Sequence, residues 1–279
     1  MRLLQTSSLV STIWREKSAS TNTELADLAR AGRLAGRTLL ATDNQTAGRG
    51  RLARTWQQPT GTGLALSFYL PMWQAVAGSL PVSWAALAAG VAMRQACNRL
   101  GNGQATTGPV FLKWPNDLLV PGEHARGGLK IGGILCELTG DGGVIIGIGL
   151  NLWGMPDDLP EGAASLESCG IIGALPSDQT AADLEKATKI DQILSGFIQN
   201  LDTLLKQAKT DPQAAREHIT TEIATIGQQT RVIYSDRPEF AGIATGLTAN
   251  GELLVEGENG ETREITSADI EHLRPEKTV

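Results

Sequence analysis

The chain is organised around a stretch rich in arginine and glycine, which reads Thr42-Asp43-Asn44-Gln45-Thr46-Ala47-Gly48-Arg49-Gly50-Arg51-Leu52-Ala53-Arg54-Thr55-Trp56. Arginine presents a planar fork of donors that fits phosphate or carboxylate, and glycine lets a backbone approach a ligand closely. The apolar segments on either side, residues 38–41 and 63–70, are typical of strands. Residues 42–56, named the arginine loop below, are therefore predicted to join two strands, to bind an anion and to stay mobile until that ligand orders them.

Two lysines interrupt apolar strands further along the chain. The run Lys113-Trp114-Pro115-Asn116-Asp117 divides one strand, and proline cannot serve a central sheet ladder, so a turn that exposes polar side chains is expected there. Lys130 enters a second strand through glycines. The nearly continuous apolar run 144–152 has the pattern of a strand buried on both faces, and the polar Asn151 lies near its end.

A helix start precedes the arginine loop. Thr21 and Glu24 have the spacing of a capping box, and leucines follow at helical period. Because the first turn of a helix presents N–H groups and hydroxyls to polar ligands, Ser20, Thr21 and Asn22 are candidate binding residues.

Length and composition predict one large domain and one small one. The chain has 279 residues, of which 41% are hydrophobic, enough for a sizeable core. Asn250-Gly251 and Asn259-Gly260, each between strand-like residues, predict hairpins in the last 50 or so residues. The expected division is a large domain over 1–226 and a small β-barrel over 227–279.

Charge and motifs exclude several classes of protein. A net charge of −6 argues against a general nucleic-acid binder, and neither a signal sequence nor a membrane span is visible, so a cytoplasmic protein is expected. The three cysteines are too few and too widely spaced to indicate a disulfide framework or a metal site. The phosphate-loop, dinucleotide-binding, serine-hydrolase and zinc-protease motifs are all missing.

Taken together and in order, these motifs resemble those of the biotin–protein ligases, the biotin–[acetyl-CoA-carboxylase] ligases. The pair Gly-Arg-Gly-Arg-x-x-Arg-x-Trp and Lys-Trp-Pro-Asn-Asp is specific. The resemblance implies an α+β fold: a mixed β-sheet with helices to one side, as in class II synthetases and biotin ligases, followed by a small C-terminal SH3-like β-barrel. Ala53 stands where the family often has glycine, which bears on loop mobility.

The resemblance also implies an activity. Such enzymes use MgATP to activate biotin as biotinyl-5′-AMP and then transfer biotin to a lysine of a biotin carboxyl carrier protein, as in acetyl-CoA carboxylase. Bifunctional members carry an N-terminal helix-turn-helix domain of about 60 residues. Only 19 residues precede Ser20, so a ligase without operator binding is expected, and the resemblance allows a homodimer.

Residue roles follow from the matched motifs. The biotin side would comprise Ser20, Thr21, Asn22, Gln45, Gly48, Arg49, Gly50, Arg51, Lys130, Gly132, Gly147 and Gly149. The nucleotide side would comprise Arg51, Arg54, Trp56, Lys113, Asn116 and Asn151. The catalytic candidates are Lys130, Arg49, Arg51 and Asp117. Lys130 would lie between the carboxylate and the α-phosphate, whereas Asp117 would either orient the carrier lysine or help to hold Mg²⁺.

Two alternatives remain at this point. A lipoate–protein ligase would share the fold and the adenylating chemistry, although its usual Arg-Arg-x-Ser-Gly-Gly-Gly signature is missing. A non-catalytic protein that senses biotin or docks on the carrier would keep the pocket and lose turnover.

Overall fold

The computed structural model describes residues 1–100, 109–122, 127–234, 237–266 and 268–272. Its strands are β1 Ser11–Trp14, β2 Thr38–Thr42, β3 Gly48–Arg49, β4 Thr55–Trp56, β5 Gly63–Leu70, β6 Phe111–Lys113, β7 Asp117–Val120, β8 Leu129–Leu138, β9 Val144–Asn151, β10 Gln229–Ile233, β11 Phe240–Leu247, β12 Leu253–Glu256, β13 Thr262–Ile265 and β14 Asp269–His272. Its α-helices are α1 Leu4–Ser7, α2 Thr21–Arg30, α3 Trp73–Ala77, α4 Ala85–Leu100, α5 Gln179–Thr210 and α6 Pro212–Thr221. Among the helices described, none has the length and apolar character needed to cross a membrane.

A seven-stranded mixed sheet forms the larger part of the molecule, with strand order β1-β2-β5-β9-β8-β7-β6. Strand β1 runs parallel to β2, and the other neighbouring strands are antiparallel. The apolar run 144–152 becomes β9, which is paired on both sides and buried along nearly its whole length. The predictions of a mixed sheet and of a doubly buried strand are therefore confirmed.

Helices cover both faces of this sheet, so the expectation of helices to one side is wrong. Side chains on successive strand residues point to opposite faces. Leu39 accordingly joins the main core with α4 and α5, whereas Leu40 packs with Leu25 of α2. The central strands are apolar on both faces, and α2 supplies the cover that the second face needs.

The cap of α2 differs from the predicted one. Ser20 is the N-cap, and its Oγ accepts a hydrogen bond from the Thr23 N–H at 3.4 Å. Glu24 forms no capping box with Thr21, because its carboxylate pairs with Arg15 at 2.5 Å and accepts a bond from Ser18 at 3.0 Å. Thr21 therefore lies inside the first turn rather than before it.

The run Lys113-Trp114-Pro115-Asn116-Asp117 forms the predicted turn. It joins β6 to β7 as a hairpin in which Lys113 lies opposite Asp117, and the Trp114–Pro115 peptide bond is cis. Cross-strand partners on one face have their side chains close together. The hairpin thus brings a cation and an anion to one place at the end of the sheet.

The C-terminal part forms an antiparallel sheet with strand order β13-β12-β11-β10-β14, consistent with an SH3-like domain. The two predicted hairpin turns join β11 to β12 and β12 to β13, and Gly251 and Gly260 adopt positive φ there. Tryptophans of the larger part hold this sheet in place: Trp114 Nε1 donates to Gly251 O at 3.0 Å, and Trp84 Nε1 donates to Ala249 O at 2.9 Å.

His272 at this junction is expected to make stability depend on pH. Its Nε2 lies 3.1 Å from Thr225 Oγ1, and burial, followed by the charge of Lys113, lowers the pKa of His272 from 6.5 to about 4. The unfolded chain therefore binds the proton more readily between these pH values, so stability falls as the pH drops from about 6.5 to about 4. For this half-buried group we expect a loss on the order of 1–2 kcal/mol after solvent screening. Urea unfolding across this range should show a shallower pH slope for His272→Gln; equal slopes would contradict the assignment.

Candidate active site

A cavity of about 430 Å³ opens where the arginine loop, the start of α2, the β6–β7 turn and β14 meet. The predicted site residues that line it are Ser20, Thr21, Asn22, Gln45, Arg49, Gly50, Arg51, Arg54, Trp56, Lys113, Asn116, Asp117, Lys130, Gly147 and Gly149. These residues come from five separate stretches of sequence, and the fold brings them around one space.

Three predicted site residues lie outside the lining. At Gly48, a Cβ would fall 2.5 Å from Trp56 O, and at Gly132 a Cβ would fall 2.7 Å from Gly149 O. Asn151 is buried, and its Nδ2 donates to Ala164 O at 3.0 Å. The two glycines thus allow close backbone packing, and Asn151 is held by the Ala164 carbonyl, so their predicted contacts with ligands stay predictions.

The C-terminal sheet contributes lining residues that sequence reasoning missed. Ile233 of β10 and residues 268–271 lie against the cavity. Within this group, Asp269 forms an ion pair with Arg54 of the arginine loop. No motif marks Asp269, because its relevance depends on a partner 215 residues away. The apolar part of the wall also includes Leu52, Leu66, Trp114, Pro115, Ile134, Leu135 and Ile148.

One end of the cavity is a neutral hydrogen-bonding network at the start of α2. The Thr21 N–H donates to Gln45 Oε1 at 2.9 Å, and Ser67 Oγ lies 2.5 Å from Asn22 Oδ1. Glycines make room for this network and for the wall beside it. A Cβ at Gly147 would overlap Asn22 Oδ1, and a Cβ at Gly149 would fall 2.5 Å from Trp56 Nε1. Gly147 therefore matters for the placement of Asn22, and Gly149 for that of Trp56.

The other end of the cavity is cationic. Lys130 Nζ lies 2.7 Å from Asp117 Oδ1 and 5.9 Å from the ring centroid of Trp56. Burial lowers the pKa of Lys113, and the nearby Asp117 carboxylate partly opposes that shift. Burial likewise lowers the pKa of Arg51, whose Nη1 donates to Asn116 Oδ1 at 3.1 Å. Two partly desolvated cations, Lys113 and Arg51, together with Lys130 form a site suited to a polyanion.

The second half of the arginine loop is a short hairpin in which β3 pairs with β4 around a 3-10 turn at Arg51–Ala53. Leu52 adopts φ 53° there, a conformation that a leucine rarely takes. The Arg49 guanidinium lies 3.0 Å from both oxygens of Glu137. The loop thus joins two strands as predicted, and its ordering by a ligand stays a prediction.

Comparison with known proteins agrees with this geometry. The Biotin/lipoate A/B protein ligase family matches residues 15–151, and the biotin protein ligase C terminal domain matches residues 225–273. A biotin–[acetyl-CoA-carboxylase] ligase of Mycobacterium tuberculosis is 30% identical over 94% of this chain and 90% of its own length. A ligase of the same name from Paracoccus denitrificans is 30% identical over 88% of this chain and 93% of its own length.

A solved structure also matches over most of the chain. The biotin protein ligase from Aquifex aeolicus, in complex with biotin and ATP, is 25% identical, with a TM-score of 0.67 over 94% of this chain and 99% of that one. Apart from β1, the strands of both sheets lie within the matched regions, and so do the residues that line the cavity. The chain therefore belongs to the biotin protein ligase family.

Proposed function

We propose that this protein is an ATP-dependent ligase that activates biotin as biotinyl-5′-AMP and transfers it to a lysine of a biotin carboxyl carrier protein. The observation that carries the proposal is the two-ended cavity. A neutral network of hydrogen-bonding groups around Asn22 and Gln45 is continuous with a cationic end around Lys130 and Arg51. The first end suits a ureido ring, and the second suits a carboxylate and a triphosphate.

In the first half-reaction a biotin carboxylate oxygen attacks the α-phosphorus of ATP. The bond from that phosphorus to the oxygen bridging to the β-phosphate breaks, and pyrophosphate leaves. Two anions must approach each other, so the barrier falls when fixed positive charge faces both. Lys130 would lie between the carboxylate and the α-phosphate, and Arg51 would contact the phosphate from the arginine loop.

Mg²⁺ is the metal that the proposal requires. Among the residues described, no three His, Cys, Asp or Glu side chains form a metal-binding group. This fits a metal held largely by phosphate oxygens and water, since nucleotide-bound Mg²⁺ commonly uses one or two protein carboxylates. Asp117 would supply such a carboxylate, and the ion would neutralise phosphate charge.

In the second half-reaction the amine of the carrier lysine attacks the carbonyl carbon of biotinyl-5′-AMP. An amide bond forms, AMP leaves and the amine loses a proton. Once pyrophosphate has left, the Asp117 carboxylate would no longer be needed for Mg²⁺, and we assign to it the orientation of that amine, beside its ion-pair partner Lys130. We propose the carrier domain of a biotin-dependent carboxylase as the acceptor.

Further proposals concern the setting of the reaction. We divide the chain into a catalytic domain, 1–226, and a C-terminal domain, 227–279, which is supported by the start of β10 at Gln229. The consumption of ATP and the free thiols support a cytoplasmic location.

The net charge of −6 supports the lack of a nucleic-acid partner. Strand β1, at the edge of the seven-stranded sheet, offers a surface for a homodimer.

The proposal is tested by measuring the intact mass of a biotin carrier domain after incubation with this protein, MgATP and either biotin or lipoate. We expect a gain of one biotinyl group that requires ATP and no gain with lipoate. A lipoyl gain would identify the lipoate ligase alternative. Tight biotin binding with no gain from either acid would identify the sensing or docking alternative.

Gly147 and Gly149 lie close together on β9 but border different side chains, Asn22 and Trp56, and should therefore separate the two substrates. Gly147→Ala places a methyl group against Asn22 and should raise the KM for biotin about tenfold, with a smaller effect on ATP. Gly149→Ala displaces Trp56 and should show the reverse selectivity. Steady-state kinetics of pyrophosphate release measure the KM for biotin and the KM for ATP. The control is Gly173→Ala, because a Cβ at Gly173 meets nothing within 4 Å. Equal effects of both variants on both constants would contradict the assignment.

A further inference from the structure

Glu137 of β8 contacts two predicted biotin-side residues, although it is not part of the cavity lining. Its Oε2 accepts a hydrogen bond from Asn22 Nδ2 at 2.7 Å. Both of its oxygens lie 3.0 Å from Arg49 Nη2. One carboxylate therefore joins the start of α2 to the arginine loop.

The contact with Glu137 determines which end of the Asn22 amide faces Ser67. The Asn22 Nδ2 donates to two acceptors, Glu137 Oε2 and Leu135 O, the latter at 3.2 Å. A flipped amide would direct Oδ1 at both acceptors, which is repulsive. With both N–H bonds of Nδ2 satisfied, Asn22 offers a ligand only its carbonyl oxygen, which already accepts from Ser67 Oγ.

The same carboxylate holds Arg49 beside the uncharged side chains at the start of α2. The Arg49 side chain is 50% exposed and that of Glu137 is 33% exposed. Without the ion pair, the Arg49 guanidinium could therefore adopt many rotamers in solvent. A charge-assisted hydrogen bond restricts it to one side of the loop. A carboxylate can accept from the amide and the guanidinium together, whereas an uncharged side chain would lose the ion pair.

We propose that Glu137 is a positioning residue for biotin, which presents the Asn22 carbonyl oxygen to the N–H groups of the biotin ring and holds Arg49 beside it. The inference rests on the proposed function, because it takes biotin as the ligand and the N–H groups of its ring as the hydrogen-bond donors. It makes Glu137 specific for biotin binding, with no part in the binding of ATP.

The test is steady-state kinetics of biotinyl-5′-AMP formation by the full chain. Glu137→Ala should raise the KM for biotin tenfold or more and leave the KM for ATP within about twofold. Glu137→Gln should raise the biotin KM only about threefold, because its amide oxygen still accepts from Asn22 while the ion pair with Arg49 is lost. The matched control is Glu222→Ala, which removes a partly buried ion pair with Arg94 outside the cavity.

The outcomes are separable. A parent protein that forms no biotinyl-5′-AMP would refute the proposed function rather than this inference. If the parent is active, an unchanged biotin KM in folded Glu137→Ala, or equal rises in both KM values, would overturn the positioning role. If Glu137→Ala does not fold, Glu137→Gln decides: a selective rise in the biotin KM supports the role, and an unchanged one refutes it.

Discussion

Replacing Lys130 by methionine is expected to slow biotinyl-5′-AMP formation by about 10²–10³-fold, the cost of removing one preorganised charged donor from a transition state. Lys130 Nζ is held 2.7 Å from Asp117 Oδ1 and faces the Trp56 ring, so its charge has a defined place beside the cavity. Methionine keeps much of the stem and removes only the ammonium. Pre-steady-state measurement of pyrophosphate release under saturating substrates isolates this step from binding.

The chain contains a control lysine for this substitution. Lys189 pairs with Glu185 of the same helix, α5, at 3.6 Å, and neither residue lines the cavity or belongs to the arginine loop. Lys189→Met should therefore form the intermediate at the parent rate. Lys130→Arg keeps the charge with a different shape and should fall between the two. Adenylate formation by Lys130→Met within tenfold of the parent rate would reject Lys130 as the electrostatic catalyst.

Replacing Arg51 by alanine is expected to slow adenylate formation by about 10²-fold and to release biotinyl-5′-AMP into solution about tenfold faster. This guanidinium is partly buried at the cavity, and the burial lowers its pKa, so an anion would interact with it more strongly there than in open solvent. The α-phosphate is present both in the transition state and in the intermediate, so both measurements should respond. Retention of the intermediate is followed by filtration of the enzyme after a single turnover.

Arg263 provides the comparison for Arg51. It lies on β13, pairs with Glu261 at 3.0 Å and stacks over Phe240, and it does not line the cavity. Arg263→Ala should retain biotinyl-5′-AMP as the parent does. If Arg51→Ala also retains the intermediate at the parent rate, the arginine loop does not hold the phosphate through this residue.

Much of the candidate site was visible in the sequence because it depends on short-range chemistry. Two local patterns identify the anion-binding residues without knowledge of the fold. One is arginines next to glycines, and the other is a lysine and an aspartate on either side of a proline turn. Fifteen predicted residues consequently line one cavity. Three predicted residues lie outside the lining because packing places them: Asn151 donates a hydrogen bond to the backbone, and Gly48 and Gly132 make room for neighbouring backbone.

The sequence by itself determined the elements whose signals lie within a few residues. Asp211 caps α6 ahead of a proline, Asn-Gly pairs form the hairpin turns of the C-terminal sheet, and the run 144–152 becomes a doubly buried strand. These elements depend on local properties: hydrogen bonds between near neighbours, the dihedral angles of turns and the periodicity of apolar side chains. Short stretches of sequence are therefore enough to predict them.

Only the tertiary structure decided which distant side chains complete the site. Arg54 pairs with Asp269, 215 residues away, and Arg49 pairs with Glu137, 88 residues away. Neither acid follows a pattern that distinguishes it from the other surface carboxylates of an acidic chain. They matter because the fold brings β8 and the C-terminal sheet next to the arginine loop. The free energy of the resulting ion pairs depends on distance and burial rather than on the separation of the residues in sequence.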